Sequence, residues 1–157
     1  MSMKSLITAI QTSLKNAATL SSVADADIVI TPDENYIPQT IAYPAIGLKD
    51  GPIVMEKEAA AAGSTLLWNV VYQVHVIIYV AMADGEVPLI GQTSPAVKGI
   101  LDLNDLVRTI LHENSQSITG IIDSYCVAET ESEIIGGNDM IILKKTMTFE
   151  YQALETL

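Results

Sequence analysis

The sequence has 157 residues, of which 8 are Lys or Arg and 19 are Asp or Glu, so its formal net charge is −11 at pH 7. A chain of this length is ordinarily one domain with a hydrophobic core of its own. The acidic balance argues against a groove that grips nucleic acid through its phosphates. Cys126 is the single cysteine, so no disulfide can form within the chain.

The chain opens on an amphipathic pattern. Apolar residues recur at helical spacing over residues 5–18, which predicts a helix. The apolar part is too short for a secretory signal, so we expect the protein to be made in the cytosol. Residues 24–31 predict a short strand, and residues 41–51 predict a second strand that ends in a turn at Asp50-Gly51.

An uncharged stretch follows at residues 66–82. It is shorter than the roughly 20 apolar residues of a membrane-spanning helix, and polar residues interrupt it. Its period-two pattern predicts a strand with one apolar face and one half-polar face, which carries Asn69, Gln73 and His75. We expect this strand to leave the domain at one end and to carry more apolar surface than a monomer can bury. Residues 52–65 predict a long loop or the outer arm of a β-hairpin, so we place an extended arm at residues 50–68.

The second half of the chain predicts a helix and two further strands. Ser94-Pro95 is a good helix start, and the apolar stripe after it runs to about residue 113. Strands are predicted at residues 121–129 and, after a turn at 136–139, at residues 140–154. The predicted fold is one α+β domain over residues 1–157, with an antiparallel or mixed sheet, two main helices on one face and a long β-hairpin arm.

Catalytic motifs are missing from the sequence. It has no glycine-rich phosphate-binding loop. We interpret His75, His112 and Cys126 as structural residues, since their spacing matches no metal site. Asp102 and Asp105 fit the polar face of a helix. We therefore predict no catalytic residue, metal or cofactor, and keep a small α+β enzyme using Cys126 or a carboxylate as the less favoured alternative.

The order of elements resembles the phage tail terminator family, also called tail-completion or tail-to-head joining proteins. The resemblance lies in “SLITAIQTSLKN”, then “IAYPAIGLKDG”, an arm with a long strand, the helix “SPAVKGILDLNDLVRTIL” and the closing strand “KKTMTFEYQ”. It implies small acidic subunits in hexameric rings at the head-proximal end of a tail tube. Such a ring caps the finished tube, stops its polymerisation and offers a face to the head connector.

Position and charge then suggest candidate residues for a subunit interface and for an acidic channel. Six acids and no Lys or Arg lie between residues 113 and 139, which favours either a solvated hairpin or an acidic functional surface. The candidates for a subunit interface are Met55, Glu56, Lys57, Glu58, Trp68 and Tyr72. The candidates for an acidic channel or partner face are Glu129, Glu131 and Glu133.

The expected partners follow from the same resemblance. They are further copies of this chain, the tail tube protein, the sheath as an additional partner, and the head-tail connector or another neck protein. DNA would pass through the ring without specific binding, and no membrane is involved. The expected location is the virion, after assembly in the host cytoplasm. The alternative within the same class is another ring-forming tube, connector or baseplate subunit.

Overall fold

The computed structural model describes residues 1–57, 67–83, 85–137 and 140–156. Its α-helices are α1 (Met3–Asn16), α2 (Val87–Ile90) and α3 (Ile100–Leu111). Its strands are β1 (Ile28–Ile30), β2 (Ala45–Lys57), β3 (Trp68–Ala81), β4 (Gln92–Thr93), β5 (Ala96–Val97), β6 (Ile121–Glu129), β7 (Glu133–Gly137) and β8 (Met140–Glu155). The predicted α+β class is confirmed.

One mixed sheet of six strands organises the domain. Its strand order is β1-β2-β3-β8-β6, and β7 also pairs with β8. β1 runs parallel to β2, whereas the other pairs are antiparallel. The long predicted strand, β3, is therefore internal, since β2 and β8 flank it along its length. The two-residue strands β4 and β5 form a small separate sheet.

Both main helices pack on one face of this sheet, as the sequence predicts. α1 contacts β1 and β2, and α3 contacts β3, β8 and β6. We call this side the helix face and the opposite side the helix-free face. The even-numbered residues of β3 point to the helix face, where they are buried against the helices: Val70, Tyr72, Val74, Val76, Ile78 and Val80.

The expectation that β3 leaves apolar surface for a neighbour to cover is wrong for most of the strand. On the helix-free face, Ile77 and Tyr79 are buried in a second, smaller cluster. Residues 32–44 cover that cluster at the β7 end of the sheet, and the Tyr79 hydroxyl donates a hydrogen bond to the Glu34 carbonyl oxygen at 2.6 Å. A segment without regular secondary structure therefore hides what the strand pattern alone leaves open.

Three predicted boundaries are also wrong. The turn predicted at Asp50-Gly51 is a bulge within β2, which continues to Lys57 as the outer strand of a hairpin with β3. The helix predicted from Ser94-Pro95 begins at Ile100, after the β4–β5 turn. The strand predicted at 24–31 is reduced to a short 3₁₀ turn and the three residues of β1.

Candidate assembly surfaces

The end of β2 is a piece of sheet with one open edge. Residues 53–57 pair with β3 in unbroken antiparallel register. β1 pairs with β2 only over residues 46–48, so among the described residues no strand lies along the other edge of this segment. An unpaired strand edge with apolar side chains is a template for another strand. Three consecutive apolar side chains are 41 %, 46 % and 51 % exposed here: Ile53, Val54 and Met55.

The predicted interface residues fall into two groups. Met55, Glu56 and Lys57 are exposed at the end of β2, and Glu58 lies outside the described residues. Trp68 is half-buried against the main core. These positions are compatible with an interface between copies.

Tyr72 belongs to the core. Its side chain is 4 % exposed, and its hydroxyl donates a hydrogen bond to Glu155 Oε1 at 2.8 Å. Burial, and then this bond, raise the pKa of Tyr72 to about 12. The same carboxylate lies 3.3 Å from the amino group of Met1. Tyr72 therefore stabilises the end of the sheet and offers no surface to another copy.

On the opposite side of the sheet, the outer edge of β6 is partly occupied by the chain that follows α3. The Glu113 N–H donates to the Ser124 carbonyl oxygen at 2.8 Å, and the Cys126 N–H donates to His112 Nδ1 at 3.2 Å. β6 and β7 each pair with β8, and no further strand lies beyond them in the described part of the chain. Irregularities in the β6 ladder leave Ile122 and Val127 unpaired and exposed. Bulges of this kind are common on edge strands. Ile134 of β7 is 63 % exposed, so this edge is also apolar in part.

Glu129 is held by an ion pair and does not present a free charge. Arg108 donates to its Oε1 from Nε at 2.8 Å and again from a terminal nitrogen, and the buried Asn104 donates to Oε2 at 3.0 Å. Partial burial alone would raise the pKa of Glu129, but the hydrogen bonds from Arg108 and Asn104 lower it below its ordinary value. The carboxylate thus fastens β6 to α3 on the helix face.

Glu133, like Glu129, forms an ion pair, whereas Glu131 does not pair with any described residue. Glu133 Oε1 lies 2.8 Å from Nζ of Lys144, a lysine buried under residues 32–44 and also 3.5 Å from Glu34 Oε2. Glu131 is exposed between β6 and β7 and makes no ion pair with any described residue. Of the three predicted acids, Glu131 is therefore the one that has no cation beside it in the described part of the chain. The cations that pair with Glu129 and Glu133 are Arg108 and Lys144, which lie outside the acidic run at residues 113–139. The run itself therefore did not predict these ion pairs.

On the helix-free face, polar side chains of β3 and β8 form a row next to the area that residues 32–44 cover. Burial lowers the pKa of His75 from its ordinary value, so this ring is neutral at pH 7. Three side-chain contacts join β3 to β8 here: Gln73 Nε2 to Glu150 Oε1 at 2.8 Å, Gln152 Nε2 to Asn69 Oδ1 at 3.0 Å, and His75 Nδ1 to Thr148 Oγ1 at 3.1 Å. This surface suits contact with water.

The residues considered for catalysis have structural contacts. The Cys126 backbone N–H donates to His112 Nδ1 at 3.2 Å, so the imidazole bonds the backbone and not the thiol. Burial raises the pKa of the Cys126 thiol, which disfavours a thiolate. Asp102 accepts from the Gly99 N–H at the start of α3, and Asp105 pairs with Arg108 at 2.9 Å.

Other kinds of site find little support among the described residues. No group of three or more His, Cys, Asp or Glu side chains there could hold a metal ion. None of the described helices is long and apolar enough to span a membrane. An open depression of about 760 Å³ lies beside α2, and Lys98 and Asp102 are the charged residues on its wall. Neither Cys126 nor either histidine lines it.

These observations define an α+β domain with a helix layer on one face, an open strand edge at residues 53–57 and a β6 edge that residues 112 and 113 partly occupy. The fold also occurs in a solved structure described as “Virion of native gene transfer agent (GTA) particle”. The match covers 96 % of this chain and 95 % of that chain, with a TM-score of 0.58 and 11 % sequence identity. At this identity the likeness concerns the fold. No family model matches the sequence, and no curated protein matches it.

Proposed function

We propose that this chain is a structural protein of a phage-like virion, and that copies of it close into a ring, expected to be hexameric, on the end of the tail tube. The ring ends tube polymerisation and joins the tail to the head connector. One observation carries the proposal, namely the fold shared over 96 % of the chain with a protein in the virion of a gene transfer agent. The order of sequence elements, which resembles tail terminators, agrees with it.

The partly apolar surfaces at the two edges of the sheet support assembly into a ring. They lie on opposite sides of one sheet, so a contact between them joins two different patches. Contacts of this heterologous type form rings when the rotation between copies closes. Exposed apolar side chains on both edges, Val54 and Met55 on one and Ile122 and Ile134 on the other, favour covering them with protein.

The net charge supports a channel through which DNA slides. With −11 formal charge per copy, the ring surface repels phosphates and lacks the contacts that retain nucleic acid. Other partners would be the tube protein, the sheath and a connector or neck protein, each meeting a flat end of the ring.

The alternative of a small enzyme has weaker support. A cysteine nucleophile needs a lowered pKa and a nearby base. Cys126 has a raised pKa, and His112 bonds its backbone nitrogen. The tyrosines whose pKa is raised most strongly are buried in the core, so their raised pKa reflects burial. They are Tyr72, Tyr79 and Tyr151.

A tube-growth assay tests the proposal. Purified tube subunits of the same phage are allowed to polymerise with and without this protein, and tube length is measured by electron microscopy. We expect tubes that stop growing and carry a ring at one end. Unchecked growth with the protein bound elsewhere would indicate a tube, connector or baseplate subunit instead.

A matched pair of variants controls for surface charge. Met55 and Ile30 are each 51 % exposed, but Met55 lies on the open end of β2 and Ile30 on β1. We expect Met55→Asp to abolish growth arrest and Ile30→Asp to retain it. If the two variants arrest tube growth equally well, the exposed end of β2 plays no part in the arrest.

A further inference from the structure

We propose that a basic flank of α1 in one copy contacts two exposed glutamates beside β6 of the next copy, and that these charges order the ring head to tail. The basic flank carries Lys4 and Lys15, and the glutamates are Glu113 and Glu131. The inference rests on the proposed ring and specifies the contact between its copies. It follows from the side of the domain on which each charge lies and from its height, which is its position along the direction of β3.

α1 is a basic helix in a chain whose formal net charge is −11. It carries Lys4 and Lys15 and no Asp or Glu, and the first acid of the sequence is Asp25. The two lysines are separated by about three turns of the helix, so they share one flank. Lys4 is exposed and Lys15 is partly exposed, and neither forms an ion pair with any described residue. The flank therefore presents two positive charges.

The basic flank lies on the side of the domain that β1 borders. Gln11 shares this flank, because it lies two turns after Lys4 and one turn before Lys15. Its Nε2 donates a hydrogen bond to the Ile28 carbonyl oxygen of β1 at 2.8 Å. β1 is the outermost strand on this side of the sheet. The two lysines are therefore placed where a neighbouring copy in a ring would lie.

The two glutamates lie on the opposite side of the domain. Glu113 follows α3, and its N–H donates to the Ser124 carbonyl oxygen on the outer edge of β6 at 2.8 Å. Its carboxylate is 80 % exposed and lies 3.9 Å from His112 Nε2, which is too far for a hydrogen bond. Glu131 is exposed between β6 and β7. Because residues 112 and 113 occupy part of the β6 edge, the contact is made by side chains and not by strand pairing.

Lys4 and Glu113 lie at one height, on opposite sides of the domain. The Tyr72 hydroxyl donates to the Met1 carbonyl oxygen at 3.3 Å, just before the first turn of α1, which carries Lys4. Tyr72 is level with Ser124 across the paired strands β3, β8 and β6. Ser124 is the residue whose carbonyl oxygen accepts from Glu113. This pair defines the lower level of the contact.

Lys15 defines an upper level on the α1 side. Gln11 binds Ile28, which is level with Ile78 across β1, β2 and β3. Lys15 lies one turn beyond Gln11 along the helix. The two lysines are roughly 16 Å apart along α1, since each helical residue rises 1.5 Å.

Glu131 reaches the upper level on the opposite side. The Thr130 N–H donates to the Thr146 carbonyl oxygen at 2.9 Å, and Thr146 is paired with Ile77. Glu131 is the next residue, so the two acids are separated by roughly 20 Å along the sheet, close to the spacing of the two lysines. A closed ring has no rise between copies, so its two contact patches must share their heights. Both charge pairs meet this condition.

The charges set the order of the copies more than the strength of their contact. Exposed ion pairs contribute little affinity, but like charges placed together repel each other. Two basic flanks, or two acidic sides, therefore do not meet, and each contact joins unlike sides. Such heterologous contacts are the kind that a ring requires. The exposed side chains of Met55 on one side and Ile122 on the other add apolar area to the contact.

A charge-swap experiment tests this contact. The first variant carries Lys4→Glu and Lys15→Glu, so both of its sides are acidic. The second carries Glu113→Lys and Glu131→Lys, so both of its sides are basic. We expect each variant alone to need a concentration about tenfold higher than the parent for half-assembly. Mixed in equal amounts, they should form rings in which the two variants alternate. Native mass spectrometry, with the second variant labelled with ¹⁵N, identifies such mixed rings by their mass.

A control variant separates a local contact from net charge. Lys49→Glu with Lys98→Glu changes the net charge by the same amount as the first variant, but Lys49 lies on the helix-free face and Lys98 beside α2. It should assemble as the parent does. Circular dichroism shows whether each variant is folded. The neutral pair Lys4→Gln and Lys15→Gln should shift assembly in the same direction by less, and replaces the first variant if that does not fold.

The possible failures are distinguishable in the same samples. If the parent forms rings and the first variant assembles equally well, the charge contact is overturned and the ring remains. If both variants fail alone and stay apart on mixing, the lysines and the glutamates meet other groups, which also overturns the contact. Equal loss of assembly in the control would attribute the effect to net charge and overturn it too. A parent that is monomeric at every concentration would overturn the proposed function itself.

Discussion

Substitutions of Glu129 and Glu131 test directly which acid of the run at residues 113–139 stabilises the fold. The two glutamates are two residues apart and equivalent in the sequence. In the structure, Glu129 receives hydrogen bonds from Arg108 and Asn104, whereas Glu131 is exposed without a described ion pair. We therefore expect Glu129→Ala to destabilise the monomer and Glu131→Ala to leave its stability unchanged.

The magnitude follows from the groups left behind. Asn104 is 2 % exposed, and losing its acceptor leaves a buried donor unpaired, which costs about 1–2 kcal/mol. The Arg108 pair is partly exposed, with side-chain exposures of 41 % and 24 %, so it contributes about 0.5–1 kcal/mol. Glu129→Ala should therefore lower the free energy of unfolding by about 2 kcal/mol, or about 4–8 °C in Tm for a domain of this size. Glu131→Ala should stay within about 0.5 kcal/mol of the parent.

Urea denaturation followed by tryptophan fluorescence measures both variants, at a protein concentration where native mass spectrometry shows one species. The lowered pKa of Glu129 predicts a pH dependence. A depressed carboxyl pKa contributes stability above the ordinary value of 4.5, and this stability is lost as the pH falls through the folded-state pKa. The gap between parent and Glu129→Ala should therefore narrow below about pH 4. Equal effects of the two variants, or no effect of Glu129→Ala, would refute the assignment of Glu129 to the fold.

Two further predictions follow from other contacts. Tyr72→Phe should lower the free energy of unfolding by about 1 kcal/mol in the same urea assay, since it removes one buried hydrogen bond, and an unchanged value would contradict its place in the core. The Cys126 thiol, with its raised pKa, should react with a thiol reagent at pH 8 more slowly in the folded than in the urea-unfolded protein, and equal rates would contradict its burial.

The sequence predicted the elements whose patterns are local. Period-two alternation located β3, and helical stripes located α1 and α3, because burial on one face imposes those periods directly. The Asp50-Gly51-Pro52 run has every local sign of a turn, yet β2 continues through it. Pairing of residues 53–57 with β3 outweighs the turn preference, and a bulge absorbs the irregularity.

The surroundings of the candidate site residues could not be predicted, because they depend on contacts between residues that are distant in the sequence. Arg108 lies 21 residues before Glu129, and Lys144 lies far from Glu34, so the pairing of acids with cations required the folded sheet. The burial of Tyr79 likewise depends on residues 32–44, and no pattern in that polar segment predicts that it covers the helix-free face. The exposure of Met55 to Lys57 could be expected from the sequence, because this segment shows no regular spacing of apolar residues.

The oligomeric state of the purified protein tests the central claim most directly. Native mass spectrometry with negative-stain electron microscopy should show one closed species, of six copies by the present proposal, with a stain-filled hole along its axis. A particle that remains a monomer at the highest soluble concentration, with Val54 and Met55 freely accessible to solvent, would contradict the account.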